Sequence, residues 1–132
     1  LKKGRTSPAV ERLIECNILL SGVGFESGGL ALAHAIANGL TILPECKAMH
    51  GEAVAFGLMV QLRLERAPEL DRVLEFCQRV GLPTTLEELG LDEITDADLL
   101  SVADTTFKNE RNMANEQTKV TRQKLVQLMC EA

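Results

Sequence analysis

Apolar residues recur every three or four positions along most of the chain, which is typical of helices that bury one face. Ser7-Pro8 predicts the start of a first helix, because Ser caps a helix N-terminus and Pro fits its first turn. Gly22 and Gly24 predict the end of this helix, and a second helix is expected from about Ser27 to Asn38-Gly39. No segment shows the alternation of a β-strand, so the predicted fold class is all-α, a helical bundle.

The third predicted helix is apolar on all sides in its first half. It covers about residues 51–66, and such a helix is expected at the buried centre of a domain. A fourth helix is amphipathic and is expected to end at Gly81 and Pro83. Its apolar positions are Leu70, Val73, Leu74, Cys77 and Val80.

In the second half of the chain, polar capping residues and one polar segment predict where short helices begin and where a loop lies. The pairs Thr84–Glu87 and Thr95–Asp98 have the spacing of capping boxes and predict two short helices. Residues 108–119 are polar and aperiodic, so we expect a surface loop there. Thr121 is expected to cap a last helix.

Composition and charge exclude several classes of protein. The net charge of -5 and the absence of Trp and Tyr argue against nucleic-acid binding, which needs concentrated cations and stacking platforms. The longest apolar run, residues 53–60, is far shorter than the ~18 residues that suggest a membrane span. The cysteines form no CxxC pair, and three of them (Cys16, Cys77 and Cys130) fall on apolar helix faces. They are predicted to be buried free thiols in a reducing cytoplasm.

The segment Ser21–Gly29 is rich in glycine and has two interpretations. A phosphate cradle would need the Gly-Lys-Ser/Thr ending of a P-loop or a preceding strand, and the sequence offers neither. We therefore favour a tight interhelical turn, in which the glycines and the alanines that follow allow close helix packing.

The two histidines of the chain are stronger candidates for a functional site, because their side chains can bind a metal ion. His34 lies within the second predicted helix, and His50 precedes Gly51-Glu52 at the start of the third. Two neutral imidazoles at such a junction suit Zn²⁺ or Fe²⁺, with Glu52 as a carboxylate that orients one ring. Histidines with ordinary structural hydrogen bonds are the alternative, because a spacing of 16 residues has little specificity of its own.

A catalytic zinc normally takes three protein ligands, and the sequence gives no obvious third one. Cys46, in the loop between the histidines, is a weaker candidate. Most acidic residues near the helices fit solvated faces better, among them Glu11, Glu15, Glu65 and Glu69.

Two blocks of sequence resemble the bacterial glycerol dehydrogenases of the metal-dependent, iron-containing alcohol dehydrogenase superfamily. The first is SGVGFESGGLALAHAIANGL, residues 21–40, and the second is HGEAVAFG, residues 50–57. The resemblance is most specific over residues 21–57 and looser elsewhere. Dehydroquinate synthase-like enzymes are an alternative within the superfamily, but they typically have another histidine where this chain has Leu30.

The resemblance implies that residues 1–132 are a C-terminal helical metal-binding domain and that an N-terminal NAD-binding domain is absent. It places metal ligands at His34 and His50, a third, aspartate ligand in the absent part, and Phe25 at the border of the substrate pocket. It assigns no other catalytic residue and no cofactor-binding residue to this chain. The missing initiator Met agrees with a piece of a longer protein.

The implied reaction is the oxidation of glycerol to dihydroxyacetone, with Zn²⁺, or else Fe²⁺, as Lewis acid and NAD⁺ as hydride acceptor. The parent enzyme is expected to be a cytoplasmic homo-oligomer with no nucleic-acid or membrane partner. The chain alone is expected to be inactive, to bind zinc weakly and to self-associate through an exposed interface. The alternative from another class is a helical interaction module that has lost catalysis.

Overall fold

All regular secondary structure in the computed structural model, which describes residues 6–132, is α-helical, so the predicted all-α class is confirmed. The helices are α1 (Pro8–Gly28), α2 (Leu32–Leu40), α3 (His50–Glu65), α4 (Leu70–Val80), α5 (Asp96–Lys108), α6 (Glu110–Met113) and α7 (Arg122–Glu131).

Helix α1 begins where the sequence predicts but is longer than expected. The Ser7 hydroxyl accepts a hydrogen bond from Val10 N at 3.3 Å. The prediction that Gly22 and Gly24 end the helix is wrong, because a helical glycine costs only about 1 kcal/mol and does not forbid the conformation. The helix ends at Gly28, and Gly29 takes a positive φ of 69°. The second helix consequently starts at Leu32 rather than near residue 27.

Helix α1 lies apart from the rest of the described chain. None of its residues is buried, and apart from the contact of Arg111 in α6 with the Phe25 ring, no other described helix packs against it. Its exposed apolar side chains are Leu13, Ile14, Ile18, Leu19, Leu20, Val23 and Phe25. By length and composition no single described helix could cross a membrane, and α1 and α2 would meet those criteria only as a pair bent by 105°.

We expect the backbone amides of α1 to exchange hydrogen much faster than those of α2, because isolated helices are marginally stable in water. An added Cβ at Gly22 or Gly24 meets no atom within 4 Å. Replacing both residues with Ala should therefore slow exchange in α1 about tenfold, since Ala is the better helix former. Hydrogen–deuterium exchange with mass spectrometry measures both effects. Wild-type α1 amides that exchange as slowly as those of α2 would contradict the expectation.

Helices α2 and α3 form the centre of the core, and α5 and α7 pack around them. Phe56, Met59 and Val60 of α3 are fully buried, which confirms the predicted central position of this helix. Buried side chains of this size each contribute about 1.5–3 kcal/mol to folding. In α2, seven of nine residues are buried, among them Leu32 and Ile36. The two helices that carry the histidines are thus the most firmly packed part of the domain.

The backbones of α2 and α3 touch at Gly57. A Cβ on this residue would lie 2.3 Å from the carbonyl oxygen of Ala33 and 3.1 Å from its Cα. Real Cβ atoms do not approach backbone so closely, and backbone cannot rotate away as a side chain can. Glycine at position 57 therefore sets the separation of the two helices.

Besides Ser7, two further predicted caps are confirmed, and a predicted loop is not. Thr95 and Asp98 exchange hydrogen bonds between side chain and backbone, each 3.2 Å long, at the start of α5. The Thr121 hydroxyl accepts from Lys124 N at 3.2 Å and caps α7. Residues 108–119, predicted as a loop, contain the single turn of α6. The Asn109 side chain supplies the cap of that turn, accepting from Asn112 N at 3.4 Å.

The predicted capping box of Thr84 with Glu87 is wrong by one residue. The Glu88 carboxylate accepts hydrogen bonds from Thr84 N at 2.6 Å and from the Thr84 hydroxyl at 3.0 Å. The Thr85 hydroxyl accepts from Glu88 N in return, at 3.1 Å. These bonds close a turn rather than a helix, because the backbone is not helical from residue 81 to residue 95.

We expect Glu88→Gln to weaken the pH dependence of stability. The bond from Thr84 N, and then that from the Thr84 hydroxyl, lower the pKa of Glu88 below its ordinary value of 4.5. A lowered carboxylate pKa stabilises the fold above the unfolded pKa, and this contribution is lost as the pH falls through the folded pKa. Between pH 6 and pH 3 the free energy of unfolding should fall by about 0.5 kcal/mol less in the variant than in wild type. The difference is small because solvent screens an exposed carboxylate.

Urea unfolding at each pH, followed by far-UV circular dichroism, measures this difference. Glu87→Gln is the matched control, because the adjacent Glu87 side chain makes no hydrogen bond in the described structure. Equal pH profiles for the two variants would show that the Thr84–Glu88 pair contributes nothing.

The prediction that three cysteines are buried is wrong for two of them. Cys77 is buried, whereas Cys16 and Cys130 are exposed, and Cys46 is half-buried. Cys16 is exposed because no described element covers α1, and an apolar pattern in a sequence does not reveal whether a partner is present. All four are free thiols.

Candidate metal centre

The two histidines face each other across the α2–α3 junction. His34 is half-buried in the first turn of α2, and His50 is the first residue of α3 and is exposed. Their ring centroids are 5.7 Å apart, with an angle of 53° between the ring planes. The structure therefore brings together the two residues that the sequence singles out as metal ligands.

The separation of the rings is compatible with one shared ion. Two imidazole nitrogens bound to a tetrahedral Zn²⁺ at about 2.0–2.1 Å place their ring centroids about 5 Å apart. The observed 5.7 Å is within reach of that arrangement by small side-chain rotations. The donor set, two imidazoles, suits Zn²⁺ and Fe²⁺. The residues present thus fit a divalent transition-metal ion.

The surroundings of His34 favour its neutral form. Burial lowers the pKa of His34 below its ordinary value of 6.5, and repulsion by a charge on His50 lowers it further. Only an imidazole nitrogen without a proton can bind a metal. The position of His34 therefore reduces the competition between protons and a metal ion.

A third ligand is not found among residues 6–132. No three His, Cys, Asp or Glu side chains in that range lie close enough to hold a metal ion, which leaves Cys46 outside the site. Glu52 does not orient a histidine ring through any described hydrogen bond. Its carboxylate accepts instead from Met49 N at 2.7 Å and caps α3. A three-ligand catalytic site would need a residue from outside the described range.

Phe25 lies near the C-terminal end of α1 and remains 47% exposed. The guanidinium carbon of Arg111 stands 5.6 Å from the centroid of its ring, which is a cation–π contact. Nearby, Asn115 Nδ2 donates to the carbonyl oxygen of Leu30 at 2.8 Å. Sequence reasoning missed Arg111 and Asn115, because they lie in the segment that lacks any periodic pattern.

The glycine-rich segment forms no phosphate cradle, and the predicted interhelical turn is found only at its end, where Gly29 takes a positive φ between α1 and α2. Residues 21–28 belong to α1, so their amides are used within a helix and no phosphate cradle exists there. The preferred interpretation, close packing, fails for Gly22, Gly24 and Gly28, where an added Cβ would meet open space. It holds for Ala33 and the alanines that follow it in α2, which are buried.

Comparison with known proteins places the fold and the sequence in one group of enzymes. The chain is 50% identical over 118 residues to glycerol dehydrogenase of Thermotoga maritima and 49% identical over 121 residues to that of Citrobacter freundii. These matches cover 87% and 89% of this chain but only 32% and 33% of the relatives. No family model matches.

The crystal structure of Schizosaccharomyces pombe glycerol dehydrogenase superposes with a TM-score of 0.88 and 40% identity, over 96% of this chain and 33% of that one. The fold is thus an all-helical domain of the glycerol dehydrogenase type. More particularly, the chain is homologous to a segment of the glycerol dehydrogenases and corresponds in fold to their C-terminal helical domain. It spans about a third of the length of the curated relatives it matches.

Proposed function

We propose that the chain is the metal-binding domain of an NAD-dependent glycerol dehydrogenase, an oxidoreductase that converts glycerol to dihydroxyacetone. The observation that carries the proposal is the His34–His50 pair, 5.7 Å apart, in a domain homologous to glycerol dehydrogenases. In this proposal residues 1–132 form one helical domain, and the rest of the enzyme supplies the NAD site.

In the proposed mechanism His34 and His50 hold the metal ion, Zn²⁺ or Fe²⁺, and an aspartate from the rest of the enzyme completes the site. When bound, the ion supplies Lewis-acid polarisation of a hydroxyl group of the polyol. The core packing of α2 and α3 fixes the two imidazoles relative to each other. Burial lowers the pKa of His34 and so favours the neutral imidazole, which is the form that binds a metal ion.

Phe25 is proposed to border the polyol pocket. Its ring is held by Arg111 and presents half of its surface outward, which suits contact with the carbon chain of a small substrate. The partner is thus a small polyol, and not a nucleic acid or a membrane. The whole enzyme is proposed to be a homo-oligomer in the cytoplasm, where the four free cysteines would stay reduced.

A chimera tests this function directly. In the chimera the matched residues of this chain replace the matched segment of the Thermotoga maritima glycerol dehydrogenase, which the identity of 50% over 118 residues makes feasible. We expect the purified chimera to bind one divalent metal ion per chain and to reduce NAD⁺ in the presence of glycerol. A chimera that folds but lacks both metal binding and NAD⁺ reduction would contradict the proposal. The parent enzyme, purified in parallel, is the control.

A second candidate function is favoured by α1. Its uncovered apolar side chains are what a helical interaction module without catalysis would present. This alternative predicts a folded but inactive chimera, together with a chain that binds no divalent ion through its histidines. The same measurements therefore separate the two functions.

A further inference from the structure

The start of α2, which carries His34, lacks a cap of its own. The first four N–H groups of a helix have no partner within it, and the N-cap residue usually supplies one from its side chain. The N-cap of α2 is Ala31, whose methyl group accepts no hydrogen bond. The N–H of Ala33, directly before His34, therefore needs an acceptor from elsewhere in the fold.

Gln61 of α3 supplies that acceptor. Its Oε1 receives the N–H of Ala33 at 2.9 Å, across 28 residues of sequence. Its Nε2 donates to Glu65 Oε1 at 2.7 Å. A carboxylate accepts only, so this second bond fixes the amide with its oxygen toward Ala33. Gln61 is held from both sides and serves as a cap that α3 provides to α2.

Ala33 is thereby fixed at two points against the helix that carries His50. Its carbonyl group lies against Gly57, and its N–H group binds Gln61, one turn further along α3. His34 is the next residue after Ala33, and His50 lies two turns before Gly57 on the same face of α3. A shift of Ala33 relative to α3 would therefore change the separation of the two histidine rings.

We infer that Gln61 is a positioning residue, which holds His34 opposite His50 by capping α2 from α3. Gln61 touches neither a metal ion nor a substrate in this role. Its effect is transmitted through one peptide unit to the histidine that follows. The consequence for metal binding rests on the proposed function, whereas the consequence for the geometry of the two rings does not.

Three variants of the chain separate this role from a general effect on stability. Gln61→Met keeps the size of the side chain but removes the acceptor. The double variant Gln61→Glu with Glu65→Gln exchanges the two partners, so that a carboxylate at position 61 accepts from both Ala33 N and the new amide at an unchanged net charge. Gln123→Met is the control, since Gln123 is exposed on α7 and its side chain makes no hydrogen bond in the described structure.

Two readouts are independent of metal: the exchange rate of the Ala33 amide and the nuclear Overhauser effect between the His34 and His50 rings. We expect Gln61→Met to speed the exchange at least about tenfold and to weaken the ring contact, while far-UV circular dichroism stays unchanged. The exchanged pair should restore both, and Gln123→Met should change neither. Wild-type values in Gln61→Met, or no recovery in the exchanged pair, would overturn the inference.

A third readout connects the geometry to the proposed metal site. Cu²⁺ is the probe, because it binds imidazole most tightly among the divalent first-row ions and its electron spin echo shows how many imidazoles bind it. We expect two imidazoles in wild type and a dissociation constant raised about tenfold in Gln61→Met, the lower end of the effect of groups that orient metal-bound histidines. If fewer than two imidazoles bind Cu²⁺ in wild type, the proposed metal site is contradicted. The positioning role of Gln61 still holds in that case, provided that the contact between the two rings depends on Gln61.

Discussion

Gly57→Ala should destabilise the domain by about 3 kcal/mol, the upper end of the usual cost of overpacking a core. The added methyl group would lie 2.3 Å from a backbone oxygen of α2, so the two helices must move apart to admit it. That movement loosens contacts of the fully buried Phe56 and Ile36 as well. For a domain of this length the melting temperature should fall by about 10 °C.

Gly51→Ala is the matched control for this prediction. Gly51 lies in the same helix, and an added Cβ there meets no atom within 4 Å. The same chemical change should leave the melting temperature unchanged or raise it slightly, because Ala is the better helix former. Thermal unfolding of both variants gives the comparison, and equal melting temperatures would show that α2 and α3 can separate without cost.

The second large effect is expected from His34→Ala and His50→Ala in the chimera with the Thermotoga maritima enzyme. Each variant should lower glycerol-dependent NAD⁺ reduction by more than about 100-fold, because loss of a ligand exceeds the 10–100-fold effect of the groups that orient ligands. The metal content per chain should fall in parallel. Steady-state kinetics and elemental analysis of the same preparations measure the two quantities.

Gln123→Ala, on the exposed face of α7, controls for handling and should keep full activity and metal content. The assignment of the histidines fails if either variant retains a tenth of the activity with its metal still bound. Loss of activity together with loss of helical circular dichroism would instead indicate unfolding. For this reason the more conservative His34→Gln is measured beside His34→Ala.

Local signals in the sequence predict most of the fold. The caps at Ser7, Thr95 and Thr121 are found where expected, since each depends only on residues within one turn. Gly22 and Gly24 mislead because a glycine weakens a helix without specifying that it must end. Burial is predicted correctly for α3 and wrongly for Cys16 and Cys130, because an apolar pattern does not say what covers it.

The candidate site is predictable in part for a similar reason. His34 and His50 lie on consecutive helices, which makes a shared site a reasonable prediction from sequence. The rest of α2 and residues 41–49 separate them along the chain, however, so the 5.7 Å between their rings depends on how α2 packs on α3. The bond between Gln61 and Ala33 and the contact between Arg111 and Phe25 join residues that are distant in sequence. Such contacts depend on how whole helices pack, and no local pattern encodes them.

The short link between α1 and α2 has a mechanical consequence. Helix α1 has 21 residues, is about 32 Å long, and continues into α2 through three residues only, 29–31. A rotation of about 10° at Gly29 would therefore carry the far end of α1 through about 5.5 Å. Any group that holds the far end of α1 in place therefore acts on the chain only three residues before the helix that carries His34.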